Sequence, residues 1–460
     1  MTNWAADAVF YHIYPLGLCG APHRNDFQSP PEPRLAQLHD WIPHLRRLGI
    51  NAVYLGPLFE STEHGYDTAD YGLVDRRLGE TSTLAGVVEA MHAAGIRVIL
   101  DGVFHHVGRD FWAFRDLQAK GESSAYRDWF TGVDFGRRSP HGDPFAYEGW
   151  RGHYDLVKLN LHNPVVRAHL FGAVEAWTRT FGIDGLRLDV AEDIDPGFLR
   201  ALAAFSRTLK PDFWLLGEAI HGDYRRLAGP EMLDSATNYE AYKGLYSSHN
   251  DRNYHEIAYT LNRQFGEGGI YRDLPMYAFV DNHDVNRIAS TLREPTHLVP
   301  LHVLLFTMPG VPSVYYGSEW GIAGTKGQGS DWPLRPALRL PQAEQDAPHP
   351  ALAELIARLT RIRHEVPALR RGRYRQLHVA SEQLAFAREL DGERVIVAVN
   401  AASSPDALEV SVPSSDGTAF LDLLDDGWRG TVAGGRLRID AVPATGGRIL
   451  ARVAGEPLRY

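Results

Sequence analysis

Three carboxylates, Asp189, Glu218 and Asp284, each follow a short apolar segment of the sequence. The segments cover 185–189, 215–219 and 279–284 and are typical of buried β-strands. A charge directly after such a strand is a poor choice for stability, because burying an unpaired charge is costly. Three of them therefore indicate one shared site. Two carboxylates that flank a glycosidic bond are the working groups of glycoside hydrolysis, so this chemistry is the first candidate.

The neighbours of each carboxylate suggest its role. Alternation along a strand puts Arg187 on the same face as Asp189, where it would lower the pKa of Asp189 and keep it ionised as a nucleophile. Glu218 follows an apolar run, which would raise its pKa and suit a general acid. His283 and Asp284 could hold a sugar. A structural ion pair, a solvent-facing loop residue and a structural His-Asp pair remain the respective alternatives.

A further polar segment, 101–106, ends in two histidines and follows another apolar run. On its own it could be a capped turn with a satisfied histidine. Paired histidines could also bind zinc, but the chain has no H-E-x-x-H motif and its single cysteine offers no thiolate set. Zinc hydrolysis is therefore a minor alternative.

The elements that would position these residues follow a repeating pattern. Helical apolar spacing stops at a glycine, such as Gly49, Gly95 or Gly182, and a short apolar strand follows. Such alternation predicts parallel β/α units, and eight strands suggest a closed barrel with its site at the carboxyl ends of the strands. The predicted strands are 9–14, 52–55, 97–101, 185–189, 213–217, 232–235, 276–280 and 313–316.

Two regions depart from this repeat. The segment 107–158 shows little helical period and many aromatic residues, most of which we expect to form a small core and some to face a ligand. After residue 372 the pattern changes to alternating strands with turns, which predicts an antiparallel β domain. The sequence thus predicts a catalytic barrel (1–106 and 159–371), an inserted subdomain (107–158) and a C-terminal β-sandwich domain (372–460).

The composition of the chain argues against a nucleic-acid partner and against a membrane-spanning protein. The net charge of −10 argues against a general nucleic-acid binder. No run of about 20 apolar residues could cross a membrane. One cysteine, Cys19, rules out an intramolecular disulfide, and with no apparent signal peptide we expect a cytoplasmic protein. We expect a monomer or a weak homo-oligomer.

Taken together, the segments resemble the signatures of the α-amylase family of retaining α-glucan hydrolases and transglycosylases. The resemblance spans about 9–335 and implies an α/β fold, a (β/α)8 barrel with a subdomain after strand three and a C-terminal antiparallel β domain. It implies Asp189 as nucleophile, Glu218 as acid/base and Asp284 as stabiliser of the transition state. The residues implied to bind substrate are Tyr66, Asp67, His106, Arg187, His283, Asp331 and Arg335.

Segments 66–71 and 156–160 look most like the cyclomaltodextrinase, neopullulanase and maltogenic amylase group. Those enzymes usually carry an extra N-terminal β domain, whereas this sequence begins at the first barrel strand. Glu192 and Asp193 replace a frequent Lys-His pair and are expected beside the acceptor sugar. His105 and Asp193 also stand where relatives hold calcium. No cofactor is expected, with calcium possible at an altered site.

The sequence therefore predicts a retaining hydrolase of α-1,4-glucosidic bonds. Its substrates would be maltooligosaccharides, cyclodextrins or starch, with maltose as a product. One alternative on the same scaffold is a transglycosylase or isomerase such as a trehalose synthase. An alternative of another class is a catalytically inactive, sugar-binding relative, although all three carboxylates are present.

Overall fold

A computed structural model describes residues 4–453 of the chain. The first three residues of the predicted barrel (1–3) and the last seven of the predicted C-terminal domain (454–460) lie outside the described residues. Within the described part, no helix is both long and apolar enough to span a membrane.

Eight parallel strands form the predicted barrel. Each pairs with its neighbours in chain order, and the first also pairs with the eighth. A parallel bridge between Thr237 and Tyr277 joins the sixth strand to the seventh, which nearly closes the sheet. The sixth strand lies later than the predicted 232–235. The barrel strands are Phe10–Ile13, Ala52–Leu55, Arg97–Gly102, Gly185–Leu188, Trp214–Gly217, Ser235–Ala236, Tyr277–Ala278 and Val311–Tyr315.

Helices connect these strands, and the sequence marks their ends. The helix Pro164–Phe181 begins after Asn163, whose side chain accepts a hydrogen bond from the Val165 amide at 2.8 Å. It ends at Gly182 in the left-handed conformation (φ 71°), as the repeat predicts. The other α-helices of the described residues, apart from one in the long insertion, are Pro15–Leu18, Leu38–Arg47, Thr81–Ala93, Pro196–Leu209, Tyr239–Asn250, His255–Phe265, Ile288–Thr291, Leu298–Thr307, Leu340–Gln345, Pro350–Glu365 and Pro367–Arg371.

The long connection after the third strand contains a three-stranded antiparallel sheet of His106–Gly108, Gly149–Trp150 and His153–Lys158. It also contains a helix, Trp112–Lys120, which the weak helical period of this segment did not predict. The dense aromatic residues had hidden the short apolar period of that helix. Several of these aromatics form a buried core, as expected: Phe111, Phe114, Phe130 and Phe145. A separate two-stranded sheet, Phe59–Ser61 with Thr68–Val74, follows the second barrel strand.

The C-terminal part is an eight-stranded antiparallel sheet. The sequence pattern predicts four of its strands, at 374–379, 384–389, 395–400 and 449–453. The other four lie in the stretch 401–445, where exposed polar residues and turns interrupt the apolar pattern. The strands are Arg373–Val379, Gln383–Leu390, Glu393–Asn400, Asp406–Ser411, Ala419–Asp422, Arg429–Ala433, Arg436–Val442 and Gly446–Arg452.

The helix Leu298–Thr307 joins this sheet to the barrel. Nine of its ten residues are buried, so it is apolar all round rather than on one face. It belongs to a continuous core that includes Val397 and Ile449 of the C-terminal sheet. Gly447 lets the last strand approach closely, because a Cβ there would lie 3.0 Å from the Val303 side chain. The two parts therefore share apolar packing.

Replacing Leu304 with alanine tests this shared core. Leu304 is fully buried, so Leu304→Ala should lower the free energy of unfolding by about 2–5 kcal/mol through lost burial and a cavity. Val299 on the same helix is 38% exposed, and Val299→Ala should change stability by no more than about 0.5 kcal/mol. Denaturant unfolding of both variants measures the difference, and equal effects would contradict the shared core.

Candidate active site

One arginine lies at the centre of the cleft floor. Alternation along the fourth strand turns Arg187 into the barrel, where it is 3% exposed. Its Nη1 donates to Asp101 Oδ1 at 2.9 Å and to Asp189 Oδ1 at 2.8 Å, and its Nη2 lies 2.8 Å from Glu218 Oε1. These carboxylates come from the ends of the third, fourth and fifth strands. A single guanidinium thus brings two of the three predicted catalytic residues together.

The chain turns sharply just after Asp189. Val190 adopts the left-handed conformation (φ 40°, ψ 44°), which is strained for a β-branched residue. In this turn the Val190 amide donates to Glu218 Oε2 at 2.9 Å. Both oxygens of Glu218 therefore have donors, one from Arg187 and one from the turn. The strain is associated with a contact between the segments that carry Asp189 and Glu218.

Burial dominates the electrostatics of this pair. It raises the pKa of Asp189 well above its ordinary value, with Glu218 adding to the rise and Arg187 opposing it. Burial also raises the pKa of Glu218, and the charge of Asp284 adds to that. The expectation that Arg187 makes the pKa of Asp189 low is therefore wrong for the ligand-free site. The cause is that one cation is shared among several buried carboxylates, so Asp189 and Glu218 titrate as a pair.

Asp284 has two partners of its own, His283 and Arg335. Its Oδ2 lies 2.9 Å from His283 Nε2, and its Oδ1 accepts a hydrogen bond from Arg335 Nη2 at 2.9 Å. Burial raises the pKa of Asp284, but His283 and Arg335 outweigh it and hold the pKa well below its ordinary value. Arg335 also lies 3.4 Å from Asp331. Asp284 is thus the carboxylate that stays ionised.

Aromatic and imidazole rings surround the carboxylates. The Tyr66 hydroxyl donates to Asp101 Oδ2 at 3.1 Å and also hydrogen-bonds His283 Nε2. His106 is buried, with Nε2 at 3.7 Å from Asp189 Oδ2. Burial keeps the pKa of His106 well below its ordinary value, so this imidazole is neutral. Both rings line the cleft beside the carboxylates.

A cleft of about 780 Å³ opens above this floor, a size common for small-molecule sites. Eight of the predicted residues line it directly: Tyr66, His106, Asp189, Glu192, Glu218, Asp284, Asp331 and Arg335. Arg187 and His283 lie just behind this lining and contact it. Asp193 contacts two lining residues, Trp150 and Arg151.

Asp67 is placed differently. Its carboxylate accepts hydrogen bonds from the amides of Glu63 at 2.7 Å and of His64 and Gly65 at 3.1 Å each. It therefore holds its own loop, and it does not line the cleft. The sequence motif fixed the position of Asp67 in the chain but not the direction of its side chain. Its predicted substrate contact has no support in this geometry.

Several cleft residues were not predicted as site residues. Asp101 was recognised only as part of a motif, and Trp150 only as one of many aromatics. Trp332 lines the cleft and stacks on His23 at 3.9 Å between ring centroids. The fold brings these positions together from separate parts of the chain, since Asp101 lies in the third barrel strand, Trp150 in a strand of the insertion and Trp332 after the eighth barrel strand. Others of this kind are Tyr14, Arg151, Tyr239 and Lys326.

The candidate calcium position does not suit that ion. His105 offers an imidazole, and its Nδ1 lies 3.2 Å from His106 Nδ1. The Asp193 carboxylate accepts a hydrogen bond from the Trp150 indole and forms an ion pair with Arg151. Calcium prefers oxygen ligands, but His105 offers a nitrogen and the oxygens of Asp193 already have partners. Among residues 4–453, no group of three or more His, Cys, Asp or Glu side chains is arranged to hold a metal.

Comparison with known proteins agrees with this geometry. The α-amylase catalytic domain family matches residues 35–365. A cyclomaltodextrinase of a Bacillus species is 33% identical over 86% of this chain and 73% of its own. Neopullulanase 2 of Thermoactinomyces vulgaris is 31% identical over 92% and 74%. A solved cyclomaltodextrinase structure (28% identity) superposes with a TM-score of 0.85 over 98% of this chain and 78% of its own. The chain is therefore a glycoside hydrolase of the α-amylase family, similar to its cyclomaltodextrinase and neopullulanase members.

Proposed function

We propose that the protein hydrolyses α-1,4-glucosidic bonds in maltooligosaccharides, cyclodextrins or starch fragments and retains the anomeric configuration. The substrate class is supported by the names of its relatives, cyclomaltodextrinase and neopullulanase. The mechanism is supported by the arrangement of Asp189, Glu218 and Asp284 around Arg187.

The observation that carries the mechanism is the shared guanidinium. Arg187 lies 2.8 Å from Asp189 through one nitrogen and 2.8 Å from Glu218 through the other. Because the guanidinium is one short rigid fork, the two carboxylates must stay close. Retaining enzymes hold their carboxyl groups about 5–5.5 Å apart, whereas inverting enzymes need about 6.5–9.5 Å to admit a water. The fork favours the retaining arrangement.

In the first step, Asp189 attacks the anomeric carbon while Glu218 protonates the departing glycosidic oxygen. The bond to the leaving sugar breaks as the bond to Asp189 forms. In the second step, Glu218 takes a proton from water, and the water oxygen displaces Asp189 to give the free sugar. The pair thus needs one proton, on Glu218, with Asp189 ionised. Burial raises the pKa of both groups, so the pair holds a proton to a higher pH than an isolated carboxylic acid does.

Asp284 has a different role in the reaction from Asp189 and Glu218. Because His283 and Arg335 keep it ionised, it places a fixed negative charge where the oxocarbenium-like transition state becomes positive. His106 and Tyr66 are positioned to contact the same sugar, since both line the cleft beside Asp189. We assign Asp331 and Arg335 to that sugar, and Glu192 and Asp193 to the side of the leaving sugar.

Three further expectations belong to this proposal. The reaction needs no metal, because the residues at the candidate calcium position are an imidazole and a carboxylate already paired with Arg151. A cytoplasmic location is consistent with a single cysteine that is buried and free. A monomer or weak homo-oligomer remains our expectation for the assembly.

Product analysis tests the proposal directly. Incubation with maltotetraose, cyclodextrin, starch and pullulan should release maltose from α-1,4-linked substrates, measured by chromatography. Proton NMR during the first minutes should detect the α-anomer at the new reducing end, because two displacements retain configuration. Initial release of the β-anomer would contradict the retaining mechanism. Trehalose formed from maltose would favour an isomerase.

Asp189→Asn is the control for this experiment. The amide is nearly the same size but a poor nucleophile, so turnover should fall by at least about 1,000-fold while the fold is kept. Circular dichroism checks the fold, and retained turnover would remove Asp189 from the proposed role.

The pH dependence follows from the coupled pair. Activity needs Asp189 ionised, so it falls at low pH, and Glu218 protonated, so it falls as pH rises through the raised pKa. The profile of kcat/KM should therefore be bell-shaped, with its alkaline limb above 4.5, the ordinary pKa of a glutamic acid. Both apparent values belong to the pair. An alkaline limb at or below 4.5 would argue against a buried, protonated Glu218.

A further inference from the structure

We propose that Arg151 is a positioning residue that fixes the tip of the inserted hairpin as a wall for the leaving sugar. The tip comprises residues 149–153, which are the turn at 151–152 and the adjoining ends of the strands Gly149–Trp150 and His153–Lys158. This inference rests on the proposed function and assigns a basis for substrate selectivity to a residue outside the family motifs identified in the sequence.

Arg151 binds two carboxylates at once. Its Nη2 lies 2.8 Å from Glu192 Oε1, and its Nε lies 3.1 Å from Asp193 Oδ2. Both carboxylates follow directly on the strained turn at Val190, so the contact ties the inserted segment to the loop that carries Asp189. Arg151 itself occupies the left-handed region (φ 47°), which a non-glycine residue adopts rarely. The turn therefore places the guanidinium at the carboxylates at some conformational cost.

Glu192 extends the connection to the loop that carries Glu218. Its second oxygen, Oε2, accepts hydrogen bonds from the amides of Ile220 at 2.9 Å and His221 at 3.1 Å. One carboxylate thus bridges the inserted hairpin and the segment just past Glu218. Charge-assisted hydrogen bonds of this kind are stronger than neutral ones. A displacement of the hairpin would be transmitted to both catalytic loops.

The same contacts orient a tryptophan. The Trp150 indole N–H donates to Asp193 Oδ2 at 2.9 Å, and the Arg151 guanidinium carbon lies 5.4 Å from the centre of the Trp150 ring. Trp150 lines the cleft, and its ring centroid lies 5.8 Å from that of His106. Asp193 and Arg151 together hold this large apolar side chain in one position.

The role of Glu218 indicates that the hairpin tip lies on the side of the leaving sugar. Glu218 protonates the oxygen of the leaving sugar, so the cleft residues next to it, Val190 and Ile220, face that side. Arg151 and Glu192 also line the cleft, and Arg151 is joined to this segment through Glu192, which accepts a hydrogen bond from the Ile220 amide. Without Arg151, Glu192 and Asp193 would lose their common cation, and of the contacts described here the hairpin tip would keep only the hydrogen bond from Trp150 to Asp193.

The test compares substrates that share a donor but differ in leaving group. Maltotetraose can transfer a maltosyl group with maltose leaving, whereas α-maltosyl fluoride releases only fluoride. In Arg151→Ala, the ratio of kcat/KM for maltotetraose to that for α-maltosyl fluoride should fall about fivefold, mainly through KM. Arg151→Lys should fall between wild type and Arg151→Ala, because an ammonium cannot span both carboxylates as a fork does.

Arg138→Ala is the matched control, since Arg138 lies on the same inserted segment with an exposed guanidinium 3.5 Å from the Gly142 carbonyl. It should leave the ratio unchanged. Equal losses on both substrates in Arg151→Ala, or an unchanged ratio, would overturn the inference while the proposed function stands. A wild-type protein that cleaves neither substrate would overturn the proposed function itself.

Discussion

The guanidinium of Arg187 is the interaction on which the site depends. It is buried in the barrel and contacts Asp101, Asp189 and Glu218, which end three successive strands. Without this cation the three carboxylates would be forced apart or protonated, since buried like charges are costly. With it, they remain close together. The barrel provides the rigid frame, because parallel strands end at one rim.

The site also depends on a difference in electrostatic environment between Asp284 and the other two carboxylates, Asp189 and Glu218. Asp284 has partners of its own, His283 and Arg335, which keep its pKa low. Asp189 and Glu218 share one cation, and burial keeps their pKa values high. A permanent anion thus lies beside a pair that can exchange a proton. This separation is what a double displacement needs, because one group must be charged throughout while another gives and regains a proton.

The sequence predicted much of this arrangement because the key residues follow regular elements. Strand alternation was enough to put Arg187 beside Asp189, and the apolar runs located Glu218 and Asp284. The pKa of Asp189 was mispredicted, since its neighbours Glu218, Asp101 and Asp284 come from other strands. Asp67 was assigned to substrate by its motif, although its carboxylate caps a loop. Arg151 was missed because its role depends on a left-handed turn in a long insertion, which no periodicity indicates.

Identification of the group that bonds to the sugar tests the account most directly. A glycosyl fluoride carrying a second fluorine at C5 of the sugar slows the second displacement and should accumulate the glycosyl-enzyme. Digestion and mass spectrometry should then locate the sugar on Asp189, with no adduct in Asp189→Asn. An adduct on another residue, or turnover of the probe by the Asp189→Asn variant at the wild-type rate, would contradict the claim that Asp189 is the nucleophile in a site organised by Arg187.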